Sequence, residues 1–411
     1  MSVSLSARPA ASGRKPLRVS SLLALLTPTA FSLYANFNGV QALLTPERIE
    51  QIDPAHKIEH LAVLTTIGAL TGVLGLAFGG ALSDATRGRF GRRAPWLAAM
   101  ALASAALTTA LAFQWTILGV MAVCGALWFT LNFYQAALLA TNTDRVPERR
   151  RSLASALLGV AGPLGAVVGV NLAAALPSPW SYAALAAMLV AMTAIFIAFA
   201  PEPPHRPAPR PAHERRRAWN LFASFATRDF ALAFAFRLLM FLGQFSINNY
   251  LFYVLQDHVR AAQPALATGE FNALRTGMTL LAAGFALWLA HRTSKRKAFA
   301  QSYALIMAAG MLIPAFLPSF AGMLAFAALA GLASGVYAAV DLPLMQKVLP
   351  RPDNAGRDLA MLVMAGAAAQ FLAPWIGGGV IARFGYEALF VVSAFVTLLS
   401  GLAVSLIRRA S

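Results

Sequence analysis

Residues 79–96 read GGALSDATRGRFGRRAPW. One aspartate and four arginines stand there between two runs made mostly of Ala, Leu and Val. The charge ends one apolar segment, and the next begins at once. The 411 residues around it are 58% hydrophobic and only 12% charged. A soluble chain of that length needs a polar skin, which this composition does not supply. A bilayer is the solvent that makes it stable.

Twelve apolar segments reach spanning length, at 20–44, 60–83, 94–113, 115–141, 152–176, 179–200, 231–256, 272–291, 298–317, 320–346, 358–382 and 387–407. Each covers a hydrocarbon core of roughly 30 Å as a helix. Arg8, Arg14, Lys15 and Arg18 precede the first run and imitate a signal peptide. That run is longer than a signal core and lacks an A-x-A site, so it is read as a retained span. Residues 201–228 carry six prolines and six arginines and divide the spans six and six. The expected organisation is therefore a tail at 1–19, a bundle at 20–200, a linker at 201–230, a bundle at 231–407 and a tail at 408–411.

Lys and Arg placement sets the orientation. With the first residue inside, inner loops and tails hold 27 of 33 basic residues. The outer loops hold five, Arg48, Lys57, Arg260, Arg275 and Arg383, and Arg237 falls within a span. Both termini are expected in the cytoplasm, in a bacterial-type inner membrane. The same asymmetry accounts for the net charge of +17 without nucleic acid, since no basic segment is long enough to fold as a module. The single cysteine, Cys124, lies in an apolar run, which leaves no disulfide framework and no cysteine metal cluster. No Ser-His-Asp set or nucleotide loop stands out, so neither an enzyme nor a cofactor is expected.

Gly80-x-Leu82-Ser83-Asp84, followed by Arg87, Arg89, Gly91, Arg92 and Arg93, resembles the loop 2–3 signature of the major facilitator superfamily. The lengthened form ending RFGRRAPW is similar to the glycoside–pentoside–hexuronide cation symporters and the sucrose/proton symporters. The stretches TDRVPERRRSLA after span 4 and QKVLPRPDNAGRDLA after span 10 read as an internal repeat, as in many secondary transporters. The resemblance implies an all-α integral membrane protein of twelve helices in two pseudo-symmetric six-helix bundles. It implies a cytoplasmic gate built from Gly80, Asp84, Arg92, Arg93 and Asp144. Gly80 would let two helices approach. Asp84 would face the N-terminal end of a helix in the other half, span 11. The arginines would meet Asp144.

Polar side chains at membrane depth mark function by default. Spans 1, 4, 7 and 10 hold Asn36, Asn38, Gln41, Asn132, Gln135, Asn142, Gln244, Asn248, Asn249 and Gln346, whereas Asn171, Gln301 and Gln370 lie on other spans. Tyr34, Asn38 and Gln41 fall on one helical face, as do Arg237, Gln244 and Asn248, and Ser334, Tyr337 and Asp341. In the superfamily those four helices line the central cavity. The candidate cavity set is thus Tyr34, Asn38, Gln41, Asn132, Gln135, Gln244, Asn248 and Tyr337. The other reading is helix–helix hydrogen bonding, which membrane bundles use routinely.

Asp341 and Arg237 are the two ionisable residues read as lying well inside spans. Asp341 either carries a proton or pairs permanently with Arg237. The sugar–cation symporters place carboxylates on helices 2 and 4, and this sequence has none within those spans. The expected function is proton-coupled secondary transport of a small solute, a sugar or glycoside, by a monomer. The alternative is a proton-driven efflux antiporter for a drug or secondary metabolite. Gly162-Pro163 in span 5 carries part of the antiporter signature, and Phe31, Phe37, Phe133 and Phe241 suit an apolar substrate.

Overall fold

Inside lipid, a backbone N–H or C=O finds no water, so an apolar run must satisfy its polar groups internally as helix. In a computed structural model, which describes residues 19–86, 88, 90–202, 225, 227–290, 296–338, 341–349 and 355–407, the runs do this throughout, and no strand occurs among those residues. The first half consists of α1 (Val19–Gly39), α2 (Thr45–Ile52), α3 (Lys57–Ala85), α4 (Ala94–Leu111), α5 (Ile117–Arg145), α6 (Arg151–Ala175) and α7 (Trp180–Phe199). The second half consists of α8 (Arg228–Asn248), α9 (Leu251–Tyr253), α10 (Pro264–Ala290), α11 (Arg296–Phe316), α12 (Phe320–Ala338), α13 (Asp341–Lys347) and α14 (Ala355–Ser405).

These elements supply the twelve spans. A π turn at Val40–Leu44 joins α1 to α2, and another at Val254–His258 extends α9, so the first span of each half bears the same irregularity. Gly385, at φ 80°, breaks α14 into the eleventh and twelfth spans. Nine helices among the described residues, with α14 counted once, are long and apolar enough to cross a membrane. Several overrun the apolar bounds: α3 and α5 each have 29 residues, about 44 Å of helix against a core of roughly 30 Å. The overhang carries the charged ends that form the gates described below. Most of the linker at 201–230 lies outside the described residues, as do the tails apart from Val19.

The halves repeat one packing scheme. In the first, α3 lies on α5, α1 on α6, and α4 on α7. In the second, α10 lies on α12, α8 on α14, and α11 on α14. Between the halves, α6 meets α10 and α3 meets α14. Leu102, Leu281, Phe285, Phe395 and Leu402 are exposed, as expected of side chains that face acyl chains.

The glycine at the head of the loop 2–3 signature does not have the role its sequence suggests. A Cβ on Gly80 would meet nothing within 4 Å. One on Gly79 would lie 2.7 Å from the Phe133 carbonyl oxygen and 2.8 Å from its Cα. One residue is about 100° of helix, so only Gly79 faces α5. Gly79→Ala is expected to lower stability by about 1–3 kcal/mol through overpacking, and Gly80→Ala to leave it unchanged. Thermal unfolding of the two variants in detergent checks this; equal melting temperatures would contradict the assignment.

Candidate functional site

The opening motif forms an ion-paired knot at the end of the first half. Arg92 Nη2 lies 2.6 Å from Asp144 Oδ2 at the end of α5, and Arg93 Nε lies 3.2 Å from the same oxygen. Arg93 also reaches Asp84 and donates to the Ser83 hydroxyl. Burial alone would lower the Arg92 guanidinium, but its bonds to Asp144 outweigh this and raise it. The expected pairing with Asp144 is therefore present. Asp84 pairs with Arg93 of its own half, and the residues just before α14, at which its sequence position aims it, lie outside the described residues. Arg87 and Arg89 lie outside the described residues.

Glu202, just past α7, completes the knot and was not picked out from the sequence. Its Oε2 accepts from the backbone N–H of Arg93 at 2.7 Å and of Ala94 at 3.2 Å, capping α4. Gly91 makes room: it sits at φ +84°, and a Cβ there would lie 2.4 Å from Glu202 Oε2. The RFGRR spacing thus has a steric reason. An acid directly after the sixth span, opposite the first turn of α4, was the available signal.

Two adjoining cavities, of about 520 and 290 Å³, occupy the middle of the molecule. Both are walled by Asn38, Gln41, Asn249 and Gln370. Tyr34, Asn132 and Gln135 line the larger, with Phe37 stacked on Trp128 at 5.3 Å. Gln135 Nε2 donates to the Tyr34 hydroxyl at 3.2 Å. Gln244 and Asn248 line the smaller, together with Asn272 and Arg275. Seven of the eight candidate cavity residues converge here.

The eighth, Tyr337, does not line these cavities. It is buried beside Arg237 and Asp341 and donates to the Asp341 carboxylate. Gln370, set apart by its position on the eleventh span, does line both cavities, because α14 lies alongside α8. Asn36 is buried within the first half, where it accepts from Thr108 at 3.2 Å, and Gln346 is exposed near the end of α13. Arg275, assigned to an outer loop, is eleven residues inside α10 and belongs to the cavity wall. The i, i+3 pair Asn272–Arg275 on an apolar helix was the missed signal.

Arg237 and Asp341 pair directly, and the Arg237 guanidinium lies 3.2 Å from the Tyr337 hydroxyl and 5.3 Å from the Phe241 ring. Arg237 Nε is buried with no hydrogen-bond partner. The triad joins α8 to α12 and α13 within the second half.

A second charged knot lies on the face opposite the basic loops, and this one crosses between the halves. Lys57 Nζ sits 2.8 Å from Glu50 Oε1 in its own half and 2.8 Å from Asp257 Oδ2 in the other, over the Tyr253 ring. Tyr386 donates to Asp257 at 2.7 Å, and Gln256 to Glu50 at 2.8 Å. Tyr253 donates to the Pro46 carbonyl at 2.9 Å, and Trp375 to Thr66 at 2.7 Å. Burial pulls the Lys57 ammonium down, but its bonds to Asp257 and Glu50 leave it above its ordinary value.

Two helical halves, a polar cavity between them and a charged seal joining them at one face define a membrane transporter that works by alternating access. The sequence profile described as Major Facilitator Superfamily matches residues 26–285 and 271–411. The chain belongs to that superfamily and is a transporter, not an enzyme. No curated protein matches the sequence. Solved structures share the fold across nearly the whole chain. A bacterial homolog of the human lysosomal transporter Spinster, inward-facing and unoccupied, aligns with TM-score 0.73 at 14% identity, covering 96% of each chain. A variant of the nucleoside transporter NupG gives 0.72 at 12% identity, covering 94% of this chain and 99% of its own. A peptide transporter, POT, in complex with sulfate gives 0.74 at 14% identity, covering 94% of each.

The Arg237–Asp341 contact carries its own test. Removing either charge strands the other at membrane depth, at a cost of roughly 3 kcal/mol. Arg237→Gln and Asp341→Asn should each lower the detergent melting temperature, and the double variant should recover most of the loss. Additive losses in the double variant would remove the pairing.

Proposed function

We propose that the chain moves a small hydroxylated solute, of the sugar or glycoside class, across the cytoplasmic membrane in symport with protons. The convergence of amides and Tyr34 on the central cavity carries this reading. Amide and phenol groups can match a hydroxyl-rich ligand donor for acceptor. The stacked Phe37–Trp128 pair offers an apolar face to a sugar ring. The resemblance of the RFGRRAPW stretch to the glycoside–pentoside–hexuronide and sucrose/proton symporters favours that branch.

Positive-inside asymmetry puts the basic loops, both termini and the linker in the cytoplasm. The Lys57 seal then closes the outer face, and the cavity is reached from within. Asp84, Arg92, Arg93 and Asp144 form the cytoplasmic gate in its open arrangement, each arginine held by acids of its own half. Closure would let this knot meet the second half. The domains follow the six-plus-six division, and the working unit is the monomer.

In the coupling step, Asp341 leaves Arg237, takes a proton and releases it on the return. The double variant Asp341→Asn, Arg237→Gln, which keeps the net charge of the pair, separates coupling from transport. Proteoliposomes holding a pH dye and challenged with neutral methyl glycosides or hexuronates should show solute-dependent proton uptake with the native protein. The double variant should still exchange the same solute across the membrane and lose gradient-driven accumulation. Unchanged accumulation would place coupling elsewhere, with Asp144 and Asp257 as the next candidates.

A second reading is extrusion of an apolar compound, favoured by the Leu61, Leu64, Val73 and Phe371 side of the larger cavity. Proton release in response to a lipophilic cation, and none to glycosides, would support it.

A further inference from the structure

We infer that the solute is an anion, and that Arg275 binds its negatively charged group. The inference rests on the cavity being the transport site and names the class of molecule that fills it.

Arg275 is a cation on the cavity wall, and the carboxylates that compensate the other charges of the spans do not reach it. Arg92 and Arg93 meet Asp84 and Asp144, Arg237 meets Asp341, and Lys57 meets Glu50 and Asp257. Arg275 makes no ion pair among the described residues. Its Nη1 donates to Asn248 Oδ1 at 3.1 Å and its Nη2 to Asn272 Oδ1 at 3.3 Å. Two amide oxygens hold the guanidinium in place without neutralising its charge, and a guanidinium has further N–H donors to offer a ligand.

The depth makes this costly. Arg275 lies about 16 Å along α10 from Pro264, near the middle of a hydrocarbon core of roughly 30 Å. An arginine at that depth faces a partner or a water-filled cavity. Arg275 faces the smaller cavity, whose wall holds no carboxylate among the described residues.

A second donor points the same way. Asn249 lines both cavities, and its Nδ2 is buried with no hydrogen-bond partner. A guanidinium fork with spare donors and an orphaned amide N–H on one cavity wall ask for a ligand rich in acceptors. The planar fork fits a carboxylate through two parallel bonds, and it fits phosphate as well. The amides and aromatic pair beside it fit hydroxyls and a ring face. Together they describe a hydroxylated monocarboxylate, a sugar-acid type of molecule. The charge arithmetic agrees with the coupling proposed above, since a monoanion that enters with one proton moves no net charge.

The test uses the full-length protein in detergent and follows thermal shift and Trp128-sensitive fluorescence. The probes are glucuronate and gluconate as carboxylates, inorganic phosphate, and methyl glucoside as the neutral counterpart. The native protein should respond to a carboxylate at least about tenfold more strongly than to methyl glucoside. Arg275→Gln should lose that preference, Arg275→Lys should keep part of it, and Asn249→Ala should weaken binding and keep the preference for charge. A response to phosphate alone, lost in Arg275→Gln, would keep the anion site and replace the carboxylate by a phosphorylated ligand. A methyl glucoside response that depends on Gln41 and survives Arg275→Gln would overturn the anion inference and leave the transport reading standing. No response to any probe would overturn both. Correct folding of Arg275→Gln is checked by its melting temperature without ligand, and Arg275→Lys covers the case in which the neutral variant does not fold.

Discussion

A charge or an amide inside hydrocarbon must find a partner or a water-filled space, and this constraint organises the whole molecule. The spans carry few such groups, and their positions are not scattered. Arg237, Tyr337 and Asp341 bond to one another within the second half. The amides of α1, α5 and α8 collect around one space. Charges that cannot be accommodated at depth sit on helix overhangs, where they form the two knots. A sequence poor in charge is consequently one in which nearly every buried charge has an identifiable task.

The two knots differ in a way that fits an alternating cycle. The ion pairs among Asp84, Arg92, Arg93 and Asp144, and the Glu202 cap, join elements of the first half. The knot around Lys57 spans both halves through Asp257. One face is therefore sealed by ion pairs across the interface, while at the other Arg92 and Arg93 pair with Asp84 and Asp144 of their own half. Lys57 sits part-buried between the two acids, so its pairs carry more weight than exposed ones would. The contacts of α3 with α14 and of α6 with α10 give the halves a surface on which to rock.

Much of the fold was legible in the sequence, because lipid imposes a helix on any long apolar run. The helical spans follow from composition, the pairing of Arg92 and Arg93 with Asp144 was implied by the loop 2–3 resemblance, and the pairing of Arg237 with Asp341 was one of two readings of their depth. The cavity was largely legible, since amides at membrane depth are few. What failed depended on rotation and depth. Gly79 and Gly80 are adjacent in sequence and face different directions. Tyr337 shares a helical face with Asp341 and turns to that acid instead of the cavity. Gln370 was set aside because its helix was not counted among the cavity helices. Arg275 was taken for a loop residue because the apolar run begins only a few residues before it, although α10 starts at Pro264. Glu202 stood beyond the last apolar residue of its span, where nothing in one dimension brings it to α4.

The central claim is that ion pairs through Lys57 hold one face of the transporter shut in this state. Distance measurement by pulsed electron paramagnetic resonance tests it directly. Spin labels at Ala55 and Ala262, both exposed on that face, would be placed in a background with Cys124 replaced. The otherwise native protein should show one short-distance population, and Lys57→Ala a marked shift to a longer one. An unchanged distance distribution in Lys57→Ala would contradict that claim.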